Sequence, residues 1–182
     1  PSRHFHHAES LALYEVSLRP WFAAHLLASE AAFPLGLRPR CLALTPQPAN
    51  VPHSSLVHML EVVIQDFGGT GSGFTGHVGG DGAWELGLEP TLDALESACA
   101  DGIPTLVLGT AFLFVHLFDA LSAQGRSFRL PAGSRVMETG GYKGRSRSLP
   151  RAELHVATRA LRLTHRELNV AGPTARSRTR RH

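Results

Sequence analysis

One run of this sequence has the residue types and spacing to handle a charged ligand. It is Glu138-Thr-Gly-Gly-Tyr-Lys-Gly-Arg-Ser-Arg147. The strand-like stretch Arg135 to Glu138 precedes it, and a helix opening at Ser148 and Pro150 is expected after it. In open α/β sheets, ligands sit beyond the carboxyl ends of strands. Paired glycines let a ligand come close to the backbone. Lys143, Arg145, Arg147 and Arg151 add positive charge, which suits a phosphate or a carboxylate. Composition alone leaves a solvated basic loop equally open.

Other candidates weigh less. Gly71, Gly73 and Gly76 match G-x-G-x-x-G, but a dinucleotide fingerprint follows a strand and opens a helix. Here a helix precedes the glycines, so a turn or insertion is expected. His4, His6 and His7 cluster without an acidic or cysteine partner at ligand spacing. His58 reads as a partly buried structural histidine. His116 interrupts an apolar helix and reads as a hydrogen-bonded core residue. Cys41 and Cys99 form no disulfide framework and no metal spacing, and both lie in apolar segments, so two buried thiols are expected.

Positioning these residues requires a particular set of elements. Arg40 to Thr45 reads as a strand. Ser54 to Phe67 is the clearest helix, with Leu56, Met59, Leu60, Val63, Ile64 and Phe67 at helical spacing and Gly68 as its stop. Phe74 to Val78 reads as a strand after a Gly-rich stretch. Thr91 to Ala100 is amphipathic through Leu92, Leu95 and Cys99, and Gly102 ends it. Thr105 to Leu108 is a buried strand. Thr110 caps the helix Ala111 to Ala123, which is apolar on most sides and ends at Gly125. The last helix runs from Ser148 to about Leu163. Ala8 to Ala28 reads helical, and Pro20 must kink it or start a second helix. Alternating strands and helices predict an α/β fold, an open, mostly parallel sheet with helices on both faces.

The bulk numbers agree with a globular chain. Of 182 residues, 43% are hydrophobic and 18% charged, too apolar for disorder and enough to bury a core. The formal charge is +3, yet Ala175 to His182 holds four arginines and no acid. Without that tail, 14 basic residues face 15 acidic ones, so the body is near neutral. A nucleic-acid partner is therefore not expected. The longest apolar run, Leu106 to Phe118, is too short for a membrane span, and no signal peptide is visible. A cytoplasmic location is expected, and the absence of an initiator methionine suggests a cut chain.

The run Arg135 to Arg147 resembles the signature of the acyl-protein synthetase (LuxE) family of bacterial luminescence. Supporting likeness lies in Leu13-Tyr14, Ser17-Leu-Arg-Pro-Trp-Phe22, Pro52-His-Ser-Ser-Leu56 and Leu108-Gly-Thr-Ala-Phe-Leu-Phe-Val-His-Leu-Phe-Asp119. These stretches keep their order over about residues 8 to 163. That family is similar to the adenylate-forming enzymes, so the resemblance implies part of their N-terminal domain over residues 1–167, then a non-matching basic tail over 168–182. It implies activation of a long-chain fatty acid by ATP, with Mg2+, to an acyl-adenylate. The acyl group then passes to protein, to supply fatty aldehyde for luciferase through an acyl reductase partner. By the same resemblance Thr139, Gly140, Gly141 and Tyr142 lie beside the adenine and acyl site, with Lys143 and Arg145 as charge partners. Thr110, His53 and Ser54 would flank the acyl pocket. No catalytic residue and no metal ligand is singled out.

The departures shape the expectation. Superfamily members carry a Ser/Thr/Gly-rich phosphate loop ahead of the matching region; Gly69-Thr-Gly-Ser-Gly73 lies too late to be it. Where an aromatic-Gly-x-Thr-Glu motif belongs, this chain reads Leu168-Asn-Val-Ala-Gly-Pro-Thr-Ala-Arg176. Neither cysteine stands at the acyl-carrying position. An incomplete, inactive fragment is therefore expected. The other readings are a related ligase of the phenylacetate-activating type, using coenzyme A, and a non-catalytic remnant or binding module.

Overall fold

The computed structural model describes residues 8–27, 36–139, 161 and 168–170. Six strands form one sheet in the order β3-β2-β1-β4-β5-β6. They are β1 (Arg40–Pro46), β2 (Gly73–Val78), β3 (Trp84–Glu85), β4 (Thr105–Thr110), β5 (Arg135–Thr139) and β6 (Leu168–Val170). Every neighbouring pair is parallel except the β2–β3 hairpin. The chain is α/β, as its alternating pattern requires.

Two layers of helices explain why the central strands are apolar on both sides. On one face, α1 (Ala8–Phe22) and α2 (Ser55–Phe67) cover Cys41, Ala43, Leu106, Leu108 and Met137. On the other, α3 (Leu88–Asp101) and α4 (Ala111–Ala123) cover Leu42, Leu44, Val107 and Val136. Successive residues of β1 and β4 thus alternate between two cores, which is the period of a strand. The chain passes from β1 outward to β2, then returns through α3 to β4 on the other side of β1. The order therefore reverses between β1 and β4, a topological switch point.

Local chemistry sets the element ends. Ser54 caps α2, its hydroxyl accepting from the Val57 amide at 3.3 Å. Thr110 caps α4 in the same way through Leu113, at 3.4 Å. Gly102 ends α3 with a left-handed φ of 69°, which a side chain would resist. Pro20 sits inside α1, and a π-helical turn, Ala23–Leu27, follows Phe22. Pro20 lacks the amide that would bond one turn back, and the helix continues in a wider form without breaking into two.

Four details depart from the sequence reading. Cys99 is exposed, because the buried stripe of α3 is Thr91, Leu92, Leu95 and Ala98; Cys99 lies one residue past it. His116 is exposed too, although Leu113, Phe114, Val115, Leu117 and Phe118 around it are buried. The long apolar face of α4 is covered by Phe128 and Leu130, which lie outside the helices the periodicity identifies, together with Leu161. Finally, residues 168–170, where the non-matching tail begins, add β6 alongside β5.

Candidate functional site

The parallel strands place their carboxyl ends along one edge of the sheet. Four sequence-identified residues stand in defined positions there. Thr110 ends β4 and pairs in register with Thr139, which ends β5. The Thr139 hydroxyl donates to the Gly109 carbonyl at 3.5 Å, holding the two strand ends together. Beyond β1, a short 3-10 turn (Pro48–Asn50) leads to His53, which is exposed, and to Ser54, the α2 cap. Thr110, Thr139, His53 and Ser54 are thus brought to the same edge, around the point where strand order reverses. Gly140, Gly141, Tyr142, Lys143 and Arg145 lie outside the described residues. So do the helix expected from Ser148, apart from buried Leu161, the His4–His7 cluster, and the arginine-rich tail.

The helix ends between β1 and β5 favour an anion. Two 13-residue helices, α2 and α4, begin there, so their amino-terminal partial positive charges face the strand ends. Thr45, next to the end of β1, is fully buried and its hydroxyl has no hydrogen-bond partner among the described residues. Such a group is costly to leave unpaired.

No family model, curated protein or solved structure matches this chain.

The glycine fingerprint starts at the opposite edge and runs along β2, where Gly76 pairs with Pro46. Gly69 and Gly71 turn the chain from α2 into β2, at the amino-terminal ends of the strands. A Cβ on Gly69 would come within 2.5 Å of the Arg38 carbonyl oxygen. Ser72 fills the turn, its hydroxyl donating to the Gly69 carbonyl at 2.7 Å and accepting from the Cys41 amide at 2.9 Å. Gly71, at φ 77°, packs against the Arg40 guanidinium, and Gly76 lets β2 lie against the Leu44 carbonyl. Gly69, Gly71 and Gly76 thus serve close packing, whereas a Cβ on Gly73 would meet open space.

The thiols are poor nucleophiles. Burial pushes Cys41 up to about 12, and partial burial also raises Cys99, whose sulfur donates to the Arg129 carbonyl at 3.4 Å. His58 is half-buried, 3.1 Å from Glu15. It ties α1 to α2 beside the Arg19–Asp66 pair at 2.6 Å, a structural role as expected. Among the described residues, no group of three or more His, Cys, Asp or Glu is placed to hold a metal ion, so no Mg2+ ligand is assigned. None of the described helices is long and apolar enough to cross a membrane.

A cleft escaped the sequence reading. It lies between the β2–β3 hairpin and α4 and is lined by Trp84, Phe112 and His116 among others. The only sequence signal was a tryptophan inside the glycine-rich stretch Gly79 to Gly87.

Proposed function

We propose that this chain carries the acid- and adenosine-facing part of an ATP-dependent acyl-activating enzyme of the acyl-protein synthetase type. The observation that supports this best is the convergence of Ser54, Thr110 and Thr139 on one strand-end edge, Thr139 being the residue that opens the Thr139–Arg147 run in the sequence. The reaction joins a carboxylate to an α-phosphate, so both reactants are anions. Helix amino termini at α2 and α4 offset that repulsion, and fixed strand ends orient the acid. The preferred acid is a long-chain fatty acid, and the acyl acceptor is a protein.

Binding is the informative readout, because the phosphate-loop and Thr-Glu motifs are not matched in this sequence. The chain should bind a tetradecanoyl sulfamoyl-adenosine, a stable mimic of the acyl-adenylate, in a calorimetric titration. Thr139→Val should weaken it about tenfold, the scale of one lost hydrogen bond to a charged group. Tighter binding of the phenylacetyl analogue would transfer the proposal to the coenzyme A-dependent relatives. Failure to bind either analogue, with the fold intact by circular dichroism, would overturn it.

A further inference from the structure

The cleft between the β2–β3 hairpin and α4 has a volume of about 510 Å3, within the range of small-molecule sites. Its walls are apolar. Trp84, Leu86 and Leu88 come from β3 and the start of α3, and Phe112 and Ala120 come from α4. Its polar groups are Asp81, Glu85 and His116, with no lysine or arginine in the lining. An acidic margin over aromatic walls is a poor place for a fatty carboxylate and a good one for a cation with an apolar body.

The acids are held in place by the fold. The hairpin closes through Gly79 amide to Ala83 carbonyl at 2.8 Å, with Gly82 at a φ of 78° in the turn. Asp81 accepts the Ala83 amide through Oδ1 at 2.8 Å. Glu85 meets His77 through Oε2 at 3.1 Å, while its Oε1 lies where a Cβ on Gly79 would be. On the opposite wall, Phe112 and His116 pair edge to face at 4.3 Å.

We propose that this cleft binds a small organic cation, an ammonium group carried on an aromatic or branched apolar body. The body would displace water from Trp84 and Phe112, whose ring faces attract positive charge. The ammonium would then sit against Asp81 and Glu85. The cleft lies beyond the carboxyl end of β2 and takes in Phe112 of the first turn of α4, so it adjoins the strand-end edge, but its lining residues are different ones and the proposal does not depend on acyl activation.

Three probes of similar size separate charge from shape: 2-phenylethylamine, 2-phenylethanol and 3-phenylpropionate. Saturation-transfer NMR on the unaltered chain ranks them. Fluorescence in a Trp21→Phe background, which leaves Trp84 as the sole tryptophan, locates the site. The amine should bind at least about tenfold more tightly than the alcohol, with the anion weakest. In the Asp81→Asn, Glu85→Gln double variant, the amine should fall to within about threefold of the alcohol. Equal binding of all three probes, preference for the anion, or amine binding that leaves Trp84 fluorescence unchanged would overturn the proposal.

Discussion

Cys41 and Cys99 differ by environment alone. Cys41 is fully buried on β1 under α1 and α2, whereas Cys99 is exposed on α3. A thiol reagent should therefore modify one cysteine in the native protein and the second only on unfolding, as a count of released thiolate would show. The same burial predicts a pH dependence. Cys41 titrates at about 12 when folded and near its ordinary value of 9.0 when unfolded. Between those values the unfolded chain has lost a proton that the folded chain keeps. Stability should thus be full below pH 9 and fall, by up to about 1.4 kcal/mol per pH unit, as pH rises toward 12. Tyr14 and Cys99 shift in the same direction and add to the slope. Urea midpoints against pH should show the decline, and Cys41→Ala should flatten it; an unchanged slope in that variant would assign the effect elsewhere.

Gly141, Lys143 and their neighbours carry the residue-scale test of acyl activation. If a ligand passes close to Gly141, a methyl group there should abolish binding of the acyl-adenylate mimic while moving the melting temperature little. Lys143→Ala should weaken binding by about 1.5–3 kcal/mol, the scale of a hydrogen bond to a charged partner. A plain turn gives the reverse result, a lower melting temperature for Gly141→Ala and no binding change for Lys143→Ala.

At the scale of elements, Arg40 joins three of them. It is 3% exposed at the start of β1, and its guanidinium reaches Asp101 at the end of α3 at 2.6 Å. It also donates to the Ala94 carbonyl at 3.3 Å and the Thr70 carbonyl at 3.4 Å. A buried guanidinium deprived of its carboxylate is costly, although Asp101 is itself half exposed, so some of the loss is met by water. Asp101→Asn should cost about 2 kcal/mol, a fall in Tm of about 4–8 °C for a chain of this size. Differential scanning calorimetry checks this. A change within about 1 °C would mean that the two backbone carbonyls alone satisfy Arg40.

At the scale of the molecule, the apolar surface has a definite address. Among the described residues, the large exposed ones are Leu13, Val16, Trp21 and Leu37, and Leu13 and Val16 lie one helical turn apart on α1 at 72% and 66% exposure. Leu113, Phe114, Val115, Leu117 and Phe118 of α4, by contrast, are buried. A hydrophobic dye should bind the native chain, and Leu13→Glu with Val16→Glu should remove most of that signal without lowering the melting temperature. Persistent dye binding in the double variant would place the open surface elsewhere.

The amino-acid sequence by itself determined the elements and their order. Helical spacing in Ser54 to Phe67, the Thr110 cap and the glycine stops are local signals, and local hydrogen bonding and side-chain periodicity suffice to read them. It also determined the parallel sheet, since strands buried on both faces require helices on both sides. Tertiary structure alone decided which stripe of each helix meets the sheet. That is why Cys99 and His116 face outward, since a shift of one residue turns a side chain by about 100°. It decided that Phe128 and Leu130 cover α4, because no period marks such contacts in irregular chain. It also formed the cleft of Trp84 and Phe112, whose walls lie 28 positions apart in the sequence and meet only because the β2–β3 hairpin packs beside α4.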